Sequence, residues 1–75
     1  MSLLDVKLNS ISVVKDLEID DYKTKIRLME LGIIKDCKII VKKKSMLKKT
    51  LLVIFNNSCF TLKDDIASKI MVEYA

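Results

Sequence analysis

The chain has no histidine, no proline and no tryptophan, and a single glycine, Gly32. Each absence removes a class of chemistry. Without histidine no nucleophile–base pair can be nominated, and transition-metal sites lose their commonest nitrogen ligand. With one glycine there is no glycine-rich phosphate loop. Two cysteines, Cys37 and Cys59, stand far apart in 75 residues. In a chain that starts without an export signal they read as reduced thiols of a cytosolic protein, buried as small hydrophobes, and not as a disulfide framework. The adjacent acids Asp20-Asp21 and Asp64-Asp65 suit helix starts before they suit metal ligation. No catalytic residue, no metal ligand and no cofactor is therefore assigned, and an enzyme is not expected.

Long apolar runs are also missing. The run "LLVIF" at 51–55 is among the longest, against roughly 20 apolar residues needed to cross a bilayer. The opening "MSLLDVKLNS" lacks a basic segment followed by a continuous apolar one, so it does not resemble a signal peptide. Direct membrane insertion is not expected. What is present is an apolar fraction of 51% and a net charge of +4, enough for one globular domain over residues 1–75 but not two. A single core of this size rarely supplies more than about 3–5 kcal/mol of net stability.

Along the chain the patterning is mostly that of strands. Ile11, Val13, Lys15 and Leu17 alternate with Ser12 and Asp16 as a first strand, with Val14 breaking the alternation. In "EIDDYK", Asp20 can cap the free amides of a helix start and Asp21 suits its positive end, predicting a helix over about 21–31. Gly32 ends that helix, since glycine takes the left-handed conformation without a Cβ penalty. The period then changes to two: Cys37, Ile39 and Val41 face one way, Lys38, Ile40 and Lys42 the other. Asn56-Asn57 between apolar β-formers marks a two-residue hairpin turn. "KDDIA" forms a short helical turn near 64–67, and Ile70, Val72 and Tyr74 lie on a closing strand. The expected fold class is mainly β. About five short strands and one helix favour a small closed or nearly closed barrel, which leaves few open edges.

The ordered set of Arg27, Leu28, Leu31 and Gly32, then Ile39 and Val41, then Leu62, Ala67, Ile70 and Val72 resembles the FeoA family of small ferrous-iron-transport proteins. The resemblance covers about residues 3 to 74. It implies an SH3-like β-barrel, a cytosolic location, and a partner in FeoB, the membrane ferrous-iron transporter with a G-protein domain. It also makes Leu28, Leu31, Gly32 and Ala67 structural positions. Where the family usually carries turn glycines this chain has Asn9-Ser10, Lys35-Asp36 and Asn57, and asparagine and aspartate are the residues next best suited to positive φ. The second basic residue that often precedes Arg27 is here Ile26.

Two surfaces are candidates for a partner. At 100° per residue Leu28 and Leu31 form one helical stripe, expected in the core, and Tyr22, Ile26 and Met29 form the opposite one. The second stripe is either covered by neighbouring loops or a docking patch for a protein partner or a second copy. The lysine-rich segment 35–49, with Lys42, Lys43 and Lys44 at its centre, is either a solvated edge that discourages aggregation or a face for acidic protein, lipid or nucleic acid. Nucleic acid ranks low: both phenylalanines are expected in the core, leaving few aromatics for base stacking. The expected function is a non-enzymatic accessory module docking on the cytosolic side of the FeoB-type transporter, with a homo-oligomer left open. The alternative is a module attached to an iron-dependent transcriptional regulator, because related SH3-like domains end such repressors.

Overall fold

A computed structural model describes residues Met1–Ala75. A 3-10 turn at Leu3–Asp5 leads to strand β1 (Ile11–Leu17), helix α1 (Tyr22–Leu31), β2 (Lys38–Ser45), β3 (Thr50–Phe55), β4 (Ser58–Lys63), the four-residue helix α2 (Asp64–Ala67) and β5 (Ile70–Tyr74). The strands form one antiparallel sheet in the order β4-β3-β2-β1-β5. It wraps a single core of 16 hydrophobic residues. The edge strands β4 and β5 are joined through α2, whose Ala67 is fully buried. The free side of β5 is covered by the N-terminus: Ser2 bridges to Met71, and the Val72 amide donates to the Met1 carbonyl at 2.8 Å. One of the two edges is thus already paired, which limits edge-to-edge association.

Alternation explains β2 and β3. Ile39 and Val41, then Leu51, Val53 and Phe55, all point inward and are buried. Phe60 packs on Phe55 with ring centroids 4.9 Å apart and is only partly buried. In β1 the expected face is reversed at its start. Val14 is buried and Ser12 with it, while Ile11 and Val13 turn outward. A register shift between Val14 and Asp16 in the pairing with β5 then returns Leu17 to the core. The bulge adds a residue, so a strand that looks irregular in sequence keeps its apolar side chains on one face. The Ser12 hydroxyl is buried without a hydrogen-bond partner, and nothing in the structure accounts for a serine there.

Helix α1 starts one residue later than expected. Asp21, and not Asp20, is the cap: its carboxylate accepts from the Lys23 amide at 3.2 Å and the Thr24 hydroxyl at 2.6 Å. The Thr24 hydroxyl, with the Lys23 and Thr24 amides and the Arg27 charge, holds the Asp21 carboxyl below its ordinary value. A carboxyl lowered in the folded state adds stability above its unfolded pKa, and that stability is lost as pH falls through the folded value. At the other end Gly32 is left-handed with φ 107°. Its amide donates to Met29, and the Ile33 amide reaches back to Leu28, the paired bonds of a Schellman ending.

That ending corrects the core stripe. Leu28 is buried, but Leu31 is 42% exposed. The second anchor is Ile33, fully buried one residue past the glycine. The left-handed turn sends the chain back onto the barrel, so the contact expected of a helical residue is made by the residue after the helix. Gly32 is held there twice over, because a Cβ would lie 2.5 Å from Asn56 Nδ2 in the β3–β4 turn. We expect Gly32→Val to cost more than about 1 kcal/mol, since a β-branched residue resists positive φ and would also displace Asn56. Chemical denaturation measures this; an unchanged midpoint would show that the helix end tolerates a side chain.

Candidate functional site

The outward side of α1 holds the first candidate patch. Tyr22 is 73% exposed and Met29 44%, whereas Ile26 is half-buried. The three do not share one hollow. Tyr22 and Ile26 line a shallow one with Lys23, Arg27 and Glu30, and Met29 lines another with Lys25, Ile34 and Leu17. Leu31 and Ile34, both exposed, extend the apolar character of this end of the molecule. The helix is held on the barrel by a narrow contact, Leu28, so most of its surface faces solvent.

The lysine group divides differently. Lys42 and Lys43 are exposed, but Lys44 is not a free charge. Its ammonium donates to the carbonyls of Leu4 at 2.6 Å and Val6 at 3.0 Å, tying the N-terminal segment to β2. Lys44 therefore belongs to the scaffold, a correction to its place among partner-binding candidates. No other side chain in the protein spans so long a sequence distance to backbone carbonyls, and its role is invisible in a run of like residues. Lys43 instead shares an open groove with Lys48, Thr50, Leu52 and Thr61.

The thiols are separated. Cys37 precedes β2 and packs partly against the core, where burial pushes its pKa up and keeps it protonated. Cys59 is exposed on β4, contrary to the expectation of two buried thiols. It pairs with Ile54, which pairs with Ile40, which pairs with Ile11, so one row of side chains crosses the outer face of four strands. No group of three or more His, Cys, Asp or Glu side chains converges anywhere in the fold. The donor set does not fit a tight transition-metal site.

The FeoA domain model matches residues 1–74. The chain belongs to the FeoA family. That family is associated with ferrous iron transport. The backbone superposes on the solution structure of the FeoA protein from Chlorobium tepidum with a TM-score of 0.89, at 24% identity, over 99% of this chain and 70% of that one. A FeoA from Stenotrophomonas maltophilia, complexed with zinc and described as a unique prokaryotic SH3 domain protein, matches with TM-score 0.75 at 28% identity, over 97% of this chain and 89% of that one. The manganese regulator SloR carries the same fold, with TM-score 0.83 at 11% identity over all of this chain and 34% of that one. Comparison with curated proteins returns no match. The SH3-like architecture expected from the family resemblance is the architecture observed.

With no converging donor set, weak binding of ferrous iron is the expectation. We expect no saturable Fe²⁺ binding in the low-micromolar range (about the range a tight clustered site would give) under anaerobic calorimetry. A stoichiometric site abolished by Cys37→Ser or Cys59→Ser would contradict this and make the protein an iron sensor.

Proposed function

We propose that this protein is a non-enzymatic accessory module of ferrous iron transport, acting in the cytoplasm by docking on a FeoB-type membrane transporter and modulating it. The observation that carries this is the family match over residues 1–74. Support also comes from the Stenotrophomonas protein, for which a role as a ferrous iron transport activating factor was suggested. The surface chemistry is compatible: the barrel carries exposed apolar side chains on its helix, Tyr22 and Met29, and exposed lysines, Lys42 and Lys43, on β2. In such an encounter the apolar contacts supply affinity, and the charges mainly raise the association rate.

Tyr22 and Met29 are the residues to test, because their exposure makes them dispensable for folding. Desolvating each at an interface contributes on the order of 1.5–3 kcal/mol if burial is complete. Tyr22→Asp with Met29→Asp should melt within a few degrees of wild type and abolish transporter-dependent iron uptake. The same double variant supporting normal uptake while folded would remove the helix face as the docking site. A second reading, a module attached to a transcriptional regulator, is compatible with the fold shared with the manganese regulator SloR. It predicts co-purification with a DNA-binding protein and unchanged uptake on deletion.

A further inference from the structure

The β2–β3 hairpin ends in a four-residue turn, 46–49, whose first two residues are Met46 and Leu47. They are 90% and 99% exposed, the two highest values among the large hydrophobic side chains, with Tyr22 next at 73%. The turn itself is built: Ser45 Oγ accepts from the Lys48 amide at 3.3 Å, and Lys49 holds a left-handed φ of 53°. Two large apolar side chains are therefore presented at the tip of a defined hairpin, where they contribute nothing to the core. Along the chain on either side of them the charge is of one sign. Between Asp36 and Asp64 the sequence has seven lysines and no acid. The only ion pair of the fold, Lys15–Glu73, lies elsewhere, so Lys42, Lys43, Lys48 and Lys49 are not neutralised by an intramolecular partner.

From this arrangement we infer that the Met46–Leu47 tip seats in the headgroup region of an anionic lipid bilayer, with the surrounding lysines on the lipid phosphates. Apolar insertion and a basic collar are each weak alone, and together they give stable but reversible membrane contact. A nucleic acid does not explain the tip, since phosphate backbones offer no apolar phase to receive it. The hairpin spans nothing. It adds an apolar bilayer contact to a lysine face for which the sequence left lipid as one of several partners, and it does not depend on the transporter assignment, because pure lipid tests it.

The chain has no tryptophan, so Leu47→Trp places a single emission reporter at the tip. The purified protein is sedimented with phosphatidylcholine vesicles containing about one-third phosphatidylglycerol, and with phosphatidylcholine alone. We expect binding to the anionic vesicles only, a blue shift of the Leu47→Trp emission, and release at about 0.5 M salt. Met46→Ser with Leu47→Ser should weaken binding at least about tenfold at an unchanged melting temperature. Changing Lys42, Lys43 and Lys48 to Gln should weaken it by a similar factor. Equal binding to neutral vesicles, an unshifted emission, or wild-type binding by the serine variant would overturn the inference. So would displacement by inorganic phosphate at constant ionic strength, which would assign the lysines to a free anion.

Discussion

Six residues of this fold hold left-handed backbone, and only Gly32 among them is a glycine. The others are Asn9, Asp36, Lys49, Asn56 and Asn57. They stand before β1, before β2, before β3 and between β3 and β4, so every turn among the first four strands pivots on one. A sheet that must fold back on itself within 75 residues needs such corners. Asparagine and aspartate tolerate them because a short polar side chain can bond locally. Lys49 has no such compensation, yet it is fixed by its carbonyl, which accepts from the Asp64 amide at 2.9 Å. The last corner uses α2 instead, with Ala67 small enough to be buried beneath it.

Once the corners are set, one face of the sheet supplies most of the core, and Leu3, Val6, Ile19, Leu28, Ile33 and Ala67 from the connecting segments complete it. The helix illustrates this. It is anchored by Leu28 and by the return of the chain at Ile33, and its remaining surface is unconstrained by folding. Lys44 closes the opposite side by holding the N-terminal segment through two carbonyls. The scaffold therefore consumes one lysine of the surfaces that seemed available and half-buries Ile26, leaving Tyr22, Met29 and the hairpin tip as side chains whose exposure the fold itself does not require.

Much of this was legible in the sequence where a local signal and a global need coincide. The glycine ending, the Asn56-Asn57 turn, the inward set of β2 and the short α2 all rest on strong local preferences. Asn9, Asp36 and Asn57 were recognisable because they stand where glycine is usual in the family. The failures share a cause. Val14 looked like a defect because a bulge is a property of pairing with β5 and leaves no trace in alternation within β1. Leu31 looked like core because helical periodicity knows nothing of a turn that delivers Ile33. Lys44 and the Met46–Leu47 tip were hidden in a lysine-rich run, where only tertiary placement separates a tether from a solvated charge.

The central claim is that the protein works through contact with the transporter at the membrane and not by holding iron. Amide spectra of the labelled barrel, recorded as the transporter in lipid nanodiscs is added, test this most directly. The account predicts attenuation concentrated on Tyr22, Ile26 and Met29, with the inner strands β2 and β3 unaffected apart from their tip. Spectra unchanged at equimolar transporter, or changes gathered around Cys37 and Cys59 on adding ferrous iron alone, would contradict it.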